Sequence, residues 1–234
     1  MKPINILSAA AVLALTSQQS LAADITVEVQ NFTHGLYFTP IAAVVHAPDV
    51  SLFEVGEAAS TELQMMAEGG SIDGITTVAN AASADMISNP AGGLLAPTMK
   101  ASGDLMTTDG NLMLSVVAMV LPSNDGFMGL DNWELPTEAG TYTVYLNAYD
   151  AGTEATDELR GSGAPGMPGM PVPPPLDPLL GTGGSGVAGA DSNATVHIHR
   201  GNIGDDSLTD GKSDVNNTVH RWLNPVAKVT VTVR

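Results

Sequence analysis

The chain contains no cysteine. Disulfides, thiolate metal sites and cysteine nucleophiles are therefore excluded, and the fold must rest on packing and hydrogen bonds. Basic residues are scarce: 8 Lys and Arg stand against 25 Asp and Glu, giving a formal net charge of −17. Nucleic-acid affinity depends on Lys and Arg neutralising phosphates, so no nucleic-acid partner is expected and cations are the natural ones. Acidity also keeps an exported protein soluble, which accounts for most of the charge. Aromatics make up 4% of residues, too few for the ring-lined cleft of a glycosidase, although paired carboxylates are available. Gly-x-Ser-x-Gly, His-Glu-x-x-His and the P-loop are all missing. The chain is accordingly expected not to be an enzyme.

Long apolar runs are missing as well. The longest apolar stretch is Ile4 to Leu15. It follows Lys2 and precedes Ser20-Leu21-Ala22, the pattern of a signal peptide spanning 1–22. Removing it takes away one positive charge, so −17 becomes −18 for residues 23–234. No later segment reaches the roughly 18 apolar residues of a membrane-spanning helix. The expected location is outside the cytoplasm: periplasmic, cell-surface or extracellular.

What is present alternates. Ile25, Val27 and Val29 point one way and Thr26, Glu28 and Gln30 the other, the period of a half-buried strand. Leu36 to His46 is apolar but broken at Pro40, which suggests an edge strand or turn. Asn111 to Leu121 is continuously apolar, as in a sandwich core. Thr141 to Tyr149, Ala194 to His199 and Val226 to Val233 alternate again. Ser60-Thr61-Glu62-Leu63 opens a run of helix formers that stops at Gly69-Gly70, reading as one short helix. Ile72 to Ala101 reads as loop with short strands. Residues 161–193 are dominated by Gly and Pro and cannot order themselves alone; they read as a loop inserted in a single domain, 23–234. The sum is an all-β chain, an antiparallel β-sandwich with one or two short helices and long loops.

Two loop segments carry carboxylates at strand ends. Pro122-Ser123-Asn124-Asp125-Gly126-Phe127-Met128-Gly129 follows the apolar run, and Asp150-Ala151-Gly152-Thr153-Glu154 follows the alternating one. If the loops lie side by side, Asp125, Asp150 and Glu154 converge. Three such carboxylates repel strongly unless a hard cation, Ca2+ above all, joins them. The same aspartates also serve as turn formers and caps, so spacing alone leaves both readings open. Asp205-Asp206, Asp210 and Asp214 form a further acidic loop, read as solvated turns rather than a second cation site.

These two segments together resemble those of spondin N-terminal domains, Pro-Ser-x-Asp-(aromatic)-x-x-Gly and Asp-Ala-Gly-Thr-(Asp/Glu). The apolar strand before the first segment and the helical stretch ending Ala67-Glu68-Gly69 are similar too, so the resemblance covers about residues 24–233. It implies a β-sandwich with Ca2+ held at one end by Asp125, Asp150 and Glu154, and a role in binding or adhesion to a matrix or cell-surface ligand. The animal members carry cysteines and thrombospondin-type repeats, which this chain lacks.

Histidines provide an alternative. His197-Ile198-His199 places two imidazoles on one face of a strand, and His220 is a candidate third donor; such a set suits Cu2+ or Zn2+. His34 and His46 are the remaining histidines. Under this reading the chain is an exported copper-binding protein. The competing reading makes Ile198 the core contact and the two histidines an exterior polar face.

Overall fold

The computed structural model describes residues 22–187 and 193–234. The signal-peptide reading falls on residues 1–21, outside the described residues, as does the stretch 188–192 of the Gly/Pro-rich segment. Ten strands are present: β1 (Asp24–Asn31), β2 (Tyr37–Phe38), β3 (Ala42–His46), β4 (Asp85–Ser88), β5 (Lys100–Met106), β6 (Met113–Leu121), β7 (Gly126–Glu134), β8 (Gly140–Asp150), β9 (His197–Ile198) and β10 (Ala227–Val233). Two helices, α1 (Thr61–Gly69) and α2 (Asp73–Ala81), sit between β3 and β4.

All strand pairs are antiparallel, in the order β4-β3-β6-β7-β8-β10-β1-β5, with β2 on β6 and β9 on β8. The joint between β7 and β8 is short, covering only Gly126–Gly129 against Asn147–Asp150. Beyond it β7 stays with β6 and β8 stays with β10. The sheet therefore splits into two halves that face each other. Ile25, Val27, Val29, Val116, Leu146 and Val229 fill the space between them in one apolar cluster. At the far margins β4 approaches β5: the Asp85 carboxylate accepts from Thr108 N (2.6 Å) and Asn111 Nδ2 (2.9 Å). The result is a nearly closed sandwich.

A second apolar cluster covers the other face of β3, β6 and β7. It joins Leu63, Met66 and Ile75 from the helices to Met170, Leu176 and Val215 from the long loops. β6 is thus buried on both faces, which explains its unbroken apolar run.

The sequence reading meets three corrections here. Residues 73–81 form a helix where a loop was expected. Its Ile75 and Ala79, four apart, face the second cluster, and the Thr76 and Thr77 hydroxyls donate back to the carbonyls of Ile72 and Asp73. Those β-branched hydroxyl residues mask the helical signal locally. Pro40 does separate β2 from β3, but β3 is an interior strand between β4 and β6. Of the expected strand 194–199 only His197 and Ile198 are strand residues paired with β8, and His199 N adds one more bond to Ala148 O (3.1 Å). The other short helix behaves as expected: Ser60 Oγ accepts from Leu63 N (3.1 Å), and Gly70 closes the end in a left-handed conformation.

Across residues 151–187 and 193–226 the backbone is mostly irregular, and carboxylates tie it down. Glu158, 2% exposed, accepts from Ile203 N (2.6 Å), Gly204 N (2.8 Å) and Ser213 Oγ (2.6 Å). Asp214 accepts from Arg160 N and Gly184 N, each at 2.9 Å. Asp205 accepts from Ser207 N (2.9 Å), Lys212 N (2.5 Å) and Ser213 N (2.8 Å). The acidic loop at 205–214 is therefore built of backbone-binding turns. Glu158 holds φ at +60° to do this, a conformation that disfavours any side chain with a Cβ.

Glu158→Ala removes the acceptor of the Ile203 and Gly204 N–H groups and of the Ser213 hydroxyl, the latter two buried. It should lower unfolding stability by about 3 kcal/mol. The exposed Glu138→Ala should stay within about 0.5 kcal/mol. Denaturant unfolding of the two variants is the check.

Candidate metal centre

Pairing of β7 with β8 sets Gly126 opposite Asp150, so the loop entering β7 lies beside the loop leaving β8. Ala151 N donates to Asp125 O (3.2 Å) and locks the two together. The Asp125 side chain is fully buried. Its Oδ2 accepts from Thr153 N (2.8 Å), Glu154 N (3.1 Å) and Thr153 Oγ1 (3.2 Å). Its Oδ1 is buried and has no hydrogen-bond partner. Gly152 makes the turn with φ at +68°. Gly126 has a different role: it is a strand residue, and a Cβ there would lie 2.7 Å from Ser123 Oγ.

Glu154 accepts from Asn124 Nδ2 (3.0 Å) and from Gly169 N, so the Gly/Pro-rich loop is anchored on it. Asn124 is a hub that sequence reasoning did not single out. Its amide also donates to Asp157 Oδ1 (3.1 Å), and its carbonyl accepts from Glu158 N (3.0 Å). Glu68, 1% exposed at the end of α1, accepts from Gln64 Nε2 (2.8 Å) and Gly166 N. In the sequence it shows only as part of the helix ending Ala67-Glu68-Gly69, with nothing local to mark it as part of the site.

Burial pushes the Asp125 carboxyl up from its ordinary value, against the pull of the Thr153 and Glu154 amides, and Glu68 adds to the rise. Glu154 is pushed up by burial as well, with Glu68 and Asp125 contributing and Asn124 opposing. Glu68, Asp125 and Glu154 thus feel one another's charge. Among the described residues no Lys or Arg forms an ion pair with any of the three. Asp150 is buried at the end of β8, four residues before Glu154, and its Oδ1 accepts from Gly152 N (2.9 Å). As the side chains stand, no group of three His, Asp or Glu able to hold a metal exists among the described residues. The feature open to a hard cation is the unpartnered Asp125 Oδ1, in a carboxylate that feels the charge of Glu68 and is felt by Glu154.

The histidines occupy the adjoining loops. His197 pairs opposite Asp150, with Nδ1 2.7 Å from Thr195 O. His199 is buried, its Nδ1 accepts from Gly201 N (2.9 Å), and its ring lies 4.9 Å from that of Trp222. Ile198 between them is 50% exposed. The inward face of this strand is therefore the histidine face, the reverse of the reading in which Ile198 is the core contact. His220 is completely buried with both ring nitrogens unpartnered, and burial lowers its pKa to about 4. His46 is committed to Ala47 O (2.9 Å) and Ser115 Oγ (2.7 Å), whereas His34 is exposed.

An antiparallel sandwich whose loops carry buried carboxylates beside the β7–β8 joint defines a β-sandwich module. The sequence model of the Spondin_N family matches residues 29–172. That is more than half of the chain, and the protein belongs to the spondin N-terminal domain family, whose members are generally non-enzymatic. No curated protein matches it. Among the described residues no helix is long and apolar enough to cross a membrane.

The raised carboxyls carry a linkage sign. For Asp125 and Glu154 the folded state binds the proton more tightly than the unfolded one, so their contribution to stability is lost as pH rises through the raised folded values. Asp205 runs the other way. Its backbone donors lower it, and its contribution disappears as pH falls. Asp125→Asn should therefore raise the melting temperature of the chelated protein by a few degrees at pH 7 and leave it nearly unchanged at pH 4. Paired thermal melts at the two pH values are the check.

Proposed function

We propose that this chain is an exported, non-enzymatic binding module whose loop end is organised by one Ca2+ held by Asp125, Asp150 and Glu154. The observation that carries this reading is the fully buried, unpartnered Asp125 Oδ1 in a cluster of mutually repelling carboxylates. A buried charge without a counter-charge is costly, and a divalent cation relieves it. Ca2+ takes six to eight oxygens at irregular angles, so main-chain carbonyls of these loops would complete its shell. Bound there, the ion supplies charge compensation and ties the loop layer to the β7–β8 joint. The binding partner would be a matrix or cell-surface ligand.

Saturating Ca2+ should raise the melting temperature of the chelated protein at pH 7, and Asp125→Ala should abolish the rise. An identical melting curve with and without Ca2+ would sink the reading.

Copper or zinc capture by His197, His199 and His220 is the second reading. It is favoured by the His220 imidazole, which is buried, unpartnered and held neutral, the form that ligates metals. Titration with Cu2+ should then saturate at one ion per chain and fail in His220→Ala. Weak, non-saturating binding would argue against it.

A further inference from the structure

Within an acidic molecule one face is electrically neutral. It is the outer surface of the half-sheet β5-β1-β10-β8. Register sets Thr230 beside Thr143 and Thr232 beside Thr141, a two-by-two block of hydroxyls. Thr26 of β1 extends it next to Thr232. Three strand-to-strand steps of about 4.8 Å make this face about 14 Å wide.

The charged groups around the block cancel. Lys100 pairs with Glu28 (2.8 Å), and Arg234 pairs with Asp24 (2.6 Å) and Asp104 (2.9 Å). Lys228 lies 5.9 Å from the ring centroid of Phe32. Three basic and three acidic side chains sum to zero, in a chain whose net charge is −17.

Aromatic rings are rare in this chain, yet two stand together at one end of the face. Phe32 and Tyr145 are 43% and 61% exposed, with ring centroids 5.9 Å apart. Tyr145 is the direct register neighbour of Lys228. An exposed ring offers an apolar face beside a polar edge, and such a patch on a soluble surface marks a contact site.

We infer that this face binds an extended neutral glycan. A sugar ring presents an apolar C–H face that stacks on Tyr145 and Phe32, and hydroxyls that exchange hydrogen bonds with the threonine block. The absence of net charge disfavours anionic polymers and suits an uncharged one. The centre of the face is the threonine block, with the exposed Met106 only at the end of the edge strand β5, so it lacks the apolar centre that a protein partner or a second copy would bury. This goes beyond the Ca2+ reading and does not depend on it, because the block lies on Gly140–Leu146 of β8 while the acid loops follow Asp150.

The test is isothermal titration of the full chain with cellohexaose, and with chitohexaose as a second probe, alongside sedimentation. At least one probe should bind one per chain, with an affinity insensitive to high salt and to chelation of Ca2+. Tyr145→Ala, at an exposed position outside the core, should weaken binding about tenfold in a protein that still unfolds cooperatively, and Tyr145→Phe should retain it. Failure of both probes to bind, or binding that Tyr145→Ala leaves intact, overturns the proposal. So does sedimentation showing a dimer that Tyr145→Ala dissociates, since the face would then be a self-association surface. Chelation that abolishes the Ca2+-dependent melting shift without touching glycan binding separates this proposal from the metal reading.

Discussion

Carboxylate oxygens accepting main-chain N–H bonds hold the loop layer of this protein in place. Asp125 takes Thr153 and Glu154, Glu68 takes Gly166, Glu154 takes Gly169, and Glu158 takes Ile203 and Gly204. Asp205 and Asp214 do the same further along. A charge-assisted bond of this kind is roughly twice as strong as a neutral one. A chain without cysteine has no covalent alternative, and a Gly/Pro-rich stretch loses much conformational entropy on ordering. The acids supply the fixed points on which Met170, Leu176 and Val215 can then pack against α1, α2 and β6.

Six of the 25 acidic residues thus hold the fold together, in addition to whatever solubility they confer. The clasps are of two kinds. Asp205, at the surface, is satisfied by its amides and held below its ordinary value. Asp125 and Glu154 are held above theirs, because burial outweighs the bonds they accept. Asp125 alone among these clasps leaves an oxygen buried and unbonded. This is where a cation would do most, at the junction of the sheet with the loop layer.

The strands were legible because their patterns are local: alternation in β1, β8 and β10, and the doubly buried run of β6. The meeting of the Asp125 and Asp150 segments was legible too, since both end strands that pair at Gly126–Asp150. What escaped depends on contacts remote in sequence. Glu68 joins the cluster only because α1 packs on the outer face of β6 and β7. The roles of Asn124 and Glu158 depend on loops that close 34 residues and 45 residues apart. The helix at 73–81 was hidden by its threonines. The strand period at His197 and His199 correctly placed both on one face, but which face turns inward was decided by the loops stacked against it, with Trp222 beside His199.

The central claim is that the Asp125 cluster is a cation site that completes the loop layer. Calorimetric titration of chelated protein with Ca2+ at pH 7 tests it most directly. The account predicts one Ca2+ per chain, with binding lost in Asp125→Asn and weakened as falling pH protonates Asp125 and Glu154. Absence of saturable Ca2+ binding, or a site that survives Asp125→Asn unchanged, would contradict it.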